Sequence, residues 1–114
     1  MEKVFKDDNK RDYYISVAMA TYNGDKYIKE QIDSVIKNLK ENDEIVISDD
    51  GSTDETLNII ESYNDDRIKL YKNCHQGFKK NYENCISKCT GKYVFLCDQD
   101  DVWLENKVSI VLEA

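Results

Sequence analysis

Proline is absent from the 114 residues, and glycine occurs only four times, at Gly24, Gly51, Gly77 and Gly91. So few backbone breakers exclude a Pro/Gly-rich linker or low-complexity segment, and each glycine is expected to mark a turn. Long apolar runs are missing too: no window approaches the roughly 18–20 apolar residues that span a bilayer. Met1 to Tyr14 is polar and charged, without the apolar stretch of a secretion signal, and reads as a flexible lead-in to a domain over residues 15–114. Histidine occurs once, His75, and the four cysteines (Cys74, Cys85, Cys89, Cys97) contain no Cys-x-x-Cys pair. Zinc ligation is therefore poorly supported, and free thiols in a reducing cytoplasm are the simpler expectation. Net positive charge is lacking as well. At −7 the chain has no general affinity for nucleic acid, and a phosphate-bearing ligand would need a metal or a local basic group.

What is present is regular alternation, in a length that suits one modest core. Ile15 to Ala20 reads as a first strand, closed by Thr21-Tyr22-Asn23-Gly24-Asp25, with Asn-Gly as a turn signal. From Lys26 to Leu39, Tyr27, Ile28, Ile32, Val35, Ile36 and Leu39 recur at helical spacing. Glu44 to Ser48 is a second strand ending in Asp49-Asp50-Gly51. Ser52-Thr53-Asp54-Glu55 has the pattern of a capping box, before a short helix carrying Leu57, Ile59 and Ile60. A less buried third strand is expected over Arg67 to Tyr71, and a helix from Phe78 to about Cys89. Tyr93-Val94-Phe95-Leu96-Cys97, the most apolar run, reads as a buried fourth strand, and Trp103 to Ala114 as a last helix.

This order, β-α-β-α-β-α-β-α, predicts an α/β fold: a mostly parallel sheet between two layers of helices, with right-handed crossovers. Ligands of such sheets bind outside the carboxyl ends of the strands. Those ends are polar here: Thr21-Tyr22-Asn23, Asp49-Asp50, and Asp98-Gln99-Asp100-Asp101. Three carboxylates at one strand tip repel one another and make best sense around a cation. Asp98 and Asp100, two apart on an extended segment, face the same side, whereas Asp101 turns away. Magnesium or a similar hard cation suits such carboxylates and leaves open positions for substrate phosphates. Asp49 and Asp50 point to opposite sides, so one of them is expected to reach a ligand. A plain strand-to-helix turn with an N-cap explains Asp49 to Ser52 about as well when they are taken alone.

Three blocks of this sequence resemble a known family. Val17-Ala18-Met19-Ala20-Thr21-Tyr22-Asn23-Gly24 is similar to the opening strand of family 2 glycosyltransferases of the GT-A fold. Ile47-Ser48-Asp49-Asp50-Gly51-Ser52-Thr53-Asp54 resembles their D-D-G-S-x-D block, and Asp98-Gln99-Asp100-Asp101 their D-x-D motif, followed by the similar stretch Val102 to Lys107. The blocks occur in the family's order and cover about Ile15 to Val108. The Tyr-Asn-Gly and Asp-Gln-Asp-Asp-Val-Trp variants look like bacterial transferases of surface polysaccharides, some of them rhamnosyltransferases. Glu105 departs from the proline common at its position.

The resemblance implies a nucleotide-diphospho-sugar donor bound across the strand tips, and a saccharide or lipid-linked saccharide acceptor. Ala20, Thr21 and Tyr22 would line the base pocket. Asp50 would accept a hydrogen bond from the base, with Asp49 as the alternative. Asp98 would serve the ribose or metal shell, and Asp100 would ligate Mg²⁺ or Mn²⁺ at the diphosphate. Lys79 or Lys80 is a weaker candidate for the nucleotide, a solvated helix face being the simpler role. The family's base lies well beyond the D-x-D, and this sequence ends 13 residues after Asp101. A donor-binding half with an incomplete acceptor site is expected, weak or inactive by itself, cytoplasmic or peripheral to the membrane's inner face, and prone to self-association. Three other readings compete with it. Asp98-x-Asp100-x-Val102 also fits the nucleophile motif of haloacid-dehalogenase-like phosphatases, although there the motif opens the domain. A phospho-receiver would use Asp49-Asp50 but needs an acid on the third strand, where Lys69 to Lys72 offers none. The last is a non-catalytic nucleotide-binding fragment.

Overall fold

The structure, a computed structural model, describes residues 13–98. The expectations for the lead-in before residue 13, for Asp100 and Asp101, and for a helix from Trp103 lie outside the described residues. Four strands alternate with three helices: β1 (Ile15–Thr21), α1 (Ile28–Ile36), β2 (Glu44–Asp49), α2 (Thr56–Glu61), β3 (Ile68–Lys72), α3 (Phe78–Ser87) and β4 (Tyr93–Asp98). The strands form one sheet in the order β3-β2-β1-β4, and all three pairings are parallel.

The sheet is packed differently on its two faces. Ile15, Val17 and Met19 of β1 and Ile45 and Ile47 of β2 alternate onto one face, where they meet Ile28, Ile32 and Val35 of α1 and Ile60 of α2. This is the main core. The opposite face of β1 carries Ser16, Ala18 and Ala20, whose small side chains let α3 approach closely. Cys85 of α3 packs on Ala18 and Val46, and its thiol points at the carbonyls of Val46 (3.0 Å) and Met19 (3.6 Å). β1 and β2 are buried along their whole length, as parallel strands covered on both sides should be.

β4 departs from the expectation of a buried strand. Phe95 and Cys97 face the main core, but Val94 and Leu96 are 39 % and 59 % exposed. The strand lies at the edge of the sheet among the described residues, and α3 packs over β1 and β2 rather than over it. Apolar composition identified the strand; it did not report that α3 lies over β1 and β2.

The amino ends of the strands are tied by carboxylates. Asp43 accepts from the amides of Ile15 (2.9 Å) and Lys40 (2.7 Å). Glu44 accepts from the Ser16 hydroxyl (2.6 Å) and the Thr90 amide (2.8 Å). Burial pushes the Glu44 carboxyl up, but those hydrogen bonds and Lys69 outweigh it and hold the group below its usual range. Gly91 must be glycine here, because a Cβ would lie 2.6 Å from the backbone of Ile15 and Ser16.

Candidate functional site

The strand register brings the polar tips together. Thr21 pairs with Asp49 across β1 and β2, and Ala20 pairs with both Ser48 and Asp98. The carboxyl ends of β2, β1 and β4 therefore lie side by side, in that order, as the sequence predicted. Ala20 is nearly buried and Tyr22, beyond the end of β1, is 47 % exposed. Asp98 closes β4. Among the described residues no group of three His, Cys, Asp or Glu side chains forms a metal-ligand cluster.

Asp49 and Asp50 divide into two roles. Asp49 is fully buried. Its Oδ1 accepts from the hydroxyls of Thr21 and Ser52, both at 2.6 Å, and its Oδ2 from the amides of Gly51 (3.1 Å) and Ser52 (2.8 Å). Four donors fill the accepting capacity of a carboxylate. Asp49 shapes the turn, and Gly51, at φ +88°, gives that turn its sharp reversal. Asp50, on the α3 face, accepts one amide on each oxygen, Gln76 at 2.7 Å and Gly77 at 2.9 Å. Each oxygen keeps one further accepting position. Asp50 thereby holds the segment between β3 and α3 against the end of β2, and His75 joins it by donating its amide to the Asp50 carbonyl.

The capping-box expectation for Ser52 and Glu55 is corrected. The cap of α2 is Glu55, three residues after Ser52, and makes no side-chain hydrogen bond; Ser52 is engaged elsewhere. It donates to Asp49 and accepts the amide of Asn23 at 2.8 Å. Asn23 in turn accepts the Thr53 amide at 2.8 Å. Gly24 donates its amide to the Thr56 hydroxyl (2.9 Å), Asp25 to Asp54 (3.2 Å), and Glu55 to Asp25 (3.2 Å). The loops after β1 and β2 are thus laced to each other as well as to their own helices, Gly24 accepting the Ile28 amide (3.0 Å) and Asp54 the Thr56 amide (2.9 Å). Burial raises the Asp54 carboxyl, but the hydroxyl and amide of Thr56 and the Asp25 amide overcome this and hold it below its usual range. The tight pairing of these loops fixes Asn23 at φ +48°, a conformation asparagine tolerates.

Lys79 and Lys80 are exposed on the first turn of α3, directly after Gly77. Sequence reasoning did not find Ser48, Asn73 and Asn81, which meet behind the tips. The available signal was Asn81, Asn84 and Cys85, spaced to share one face of a helix poor in apolar residues. An open groove lined by Glu41, Asn42, Asn64, Asp65, Asp66 and Arg67 lies at the other end of the sheet, before β2 and β3. It holds none of the predicted site residues, and Arg67 there is committed to Asp65 at 2.8 Å.

The sequence model of the family described as "Glycosyl transferase family 2" matches residues 16–114. Among curated proteins no match was found. Among solved structures, S. aureus TarS 1–349 in complex with UDP is 31 % identical with a TM-score of 0.79, over 88 % of this chain and 31 % of that one. TarS 1–349 in complex with UDP-GlcNAc is 30 % identical, with the same TM-score, over 88 % of this chain and 30 % of that one. The mannosyltransferase PcManGT from Pyrobaculum calidifontis, in complex with GDP-Man and Mn²⁺, shares the fold at a TM-score of 0.81 and 21 % identity, over 92 % of this chain and 33 % of that one. This chain spans about a third of the length of the structures it matches. With the family match over residues 16–114 and an all-parallel sheet among the described residues, the chain belongs to glycosyltransferase family 2 and has the GT-A type of α/β fold.

Proposed function

We propose that the chain forms the donor-binding part of a nucleotide-sugar-dependent glycosyltransferase that passes a sugar to an acceptor hydroxyl in polysaccharide synthesis, on the cytoplasmic side of the membrane. The observation that carries this reading is the alignment of the tips of β2, β1 and β4, with Thr21 against Asp49 and Ala20 against Asp98. The TarS complexes with UDP and UDP-GlcNAc, and that of PcManGT with GDP-Man and Mn²⁺, support a donor of this class.

In this reading Ala20 and Thr21 form the floor of the base pocket and Tyr22, half exposed, one wall. Asp50 accepts the base N–H with an oxygen position that its loop amides leave open. Asp49, already satisfied by four donors, serves the loop and not the ligand. Asp98 and Asp100 supply hard carboxylate oxygens suited to Mg²⁺ or Mn²⁺. A cation held by them would supply Lewis-acid stabilisation of the diphosphate leaving group. The protein's own part is to hold the base and ribose so that the sugar-phosphate bond is fixed in one place. No helix among the described residues is long and apolar enough to cross a membrane.

Calorimetric titration with UDP, dTDP and GDP, each with and without Mn²⁺, tests the proposal on the wild type and on Asp100→Ala. One nucleotide should bind in a metal-dependent way, and Asp100→Ala should weaken it at least tenfold. No response to any nucleotide, together with hydrolysis of p-nitrophenyl phosphate, would overturn the proposal.

A further inference from the structure

A helix facing a sheet ordinarily presents apolar side chains, yet the first turn of α3 presents Asn81, which is 3 % exposed. Its Nδ2 donates to the Thr21 carbonyl at 3.3 Å, and its Oδ1 accepts from the Ser48 hydroxyl at 2.7 Å. Asn73 Nδ2 reaches the same Ser48 hydroxyl (2.5 Å) and Asn81 Oδ1 (3.3 Å), and Asn84 joins at 3.2 Å to both Ser48 and Asn73. Through the backbone these contacts close a ring. Asn81 donates its amide to the Gly77 carbonyl (2.9 Å), and Gly77 donates its amide to the Asp50 carboxylate (2.9 Å). The Asp50 amide donates to the Thr21 carbonyl (3.0 Å), which is where Asn81 Nδ2 also binds.

Buried amides lose water and regain only what the ring gives back, so an apolar residue would hold α3 to the sheet at lower cost. What an apolar side chain cannot do is tie the Thr21 carbonyl of β1 and the Ser48 hydroxyl of β2 to one helix. Gly77 makes the ring possible: at φ +93° and ψ 161° it sits in a region open to glycine alone, which turns its amide onto Asp50 while its carbonyl receives Asn81.

We infer that Asn81 is a positioning residue for nucleotide binding. It touches no ligand; its side chain sets the Thr21 carbonyl, which also receives the Asp50 amide, and so holds the end of β2 against β1 where the base pocket requires them. The inference rests on the donor-binding reading above. Ser48 and Asn73 support Asn81 from behind and hold its amide in the orientation that donates to Thr21.

Two readouts test it in the full chain: hydrogen exchange of the Asp50 amide, which donates to the same Thr21 carbonyl, and the affinity for UDP and GDP well below the melting temperature. Asn81→Ala should speed exchange at the Asp50 amide and weaken the bound nucleotide by about tenfold each, the effect of losing one buried hydrogen bond. Cys85→Ala, a truncation on the same face of the same helix, should lower the melting temperature but leave both readouts near wild type. Should Asn81→Ala not fold, Ser48→Ala keeps the amide in place and should move both readouts in the same direction, by less. Wild-type affinity in folded Asn81→Ala, or in Ser48→Ala as its substitute, overturns the inference alone. A wild-type chain that binds neither nucleotide overturns the donor-binding reading and the inference with it.

Discussion

The two faces of this sheet are made of different materials. On the α1 and α2 side, Ile, Val and Met side chains from β1 and β2 fill a continuous apolar core. On the α3 side the apolar contact is limited to Ala18, Val46 and Cys85, with Cys89 packed against them, and it gives way toward the strand tips to Ser48, Asn81 and Asp50. The difference teaches where stability and positioning reside. Apolar burial is non-directional and tolerates small shifts, whereas hydrogen bonds fix distances and angles. The face that carries the core holds the sheet together; the face that carries the amides sets the tips.

The largest effect should come from the apolar face. Ile47→Ala should cost about 2–5 kcal/mol in chemical denaturation, because the buried side chain leaves a cavity in the main core. If it does so without changing nucleotide affinity in the fraction that remains folded, the division holds. Next, Asp49→Asn should cost about 1–3 kcal/mol, since its amide would face two of the four donors that the carboxylate now accepts. Asp50→Asn disturbs one of only two donors and should cost less in stability, but abolish measurable nucleotide binding. Equal losses of binding in the two variants would erase the distinction between the adjacent carboxylates.

A pH experiment separates the faces more finely. Burial pushes the Cys85 thiol up from 9.0 to about 12 and Cys89 to about 11. Above pH 9 the unfolded chain loses these protons while the folded chain keeps them, so stability falls as pH rises toward 11 and 12. Urea midpoints measured between pH 8 and pH 10.5 should decline more steeply in the wild type than in Cys85→Ala/Cys89→Ala. The smallest effect belongs to the surface. Lys29→Ala removes an exposed pair with Asp33 on α1 and should change stability by less than about 0.5 kcal/mol.

Much of the fold was legible because parallel strands buried on both faces read as short apolar runs between turn signals. β1 and β2 fall within a residue of their expected bounds, and the half-buried alternation of β3 was visible in Arg67 to Tyr71. α1 is shorter than its pattern, running from Ile28 to Ile36, because Tyr27 is its cap and the chain turns at Lys37 and Asn38. Failures came where partners are distant in sequence. Ser52 and Glu55 have the spacing of a capping box, but α2 starts only at Thr56, and Ser52 bonds instead to Asp49 and to Asn23, twenty-nine residues earlier. The exposure of Val94 and Leu96 depends on where α3 lies, which no local pattern encodes. The tips themselves were legible as acids after strands. Which of Asp49 and Asp50 has room for a ligand depends on Thr21, Gln76 and Gly77, contacts that only the folded chain makes.

The most direct test of donor binding at the strand tips is an amide chemical-shift titration with diamagnetic Mg²⁺ and whichever nucleoside diphosphate binds tightest by calorimetry. The amides of Thr21, Tyr22, Asp50, Gly51 and Gly77 should shift most and saturate with one dissociation constant. If those amides stay still while Glu41, Asn42 and Asn64 through Arg67 move, the ligand binds at the opposite end of the sheet and the account is wrong.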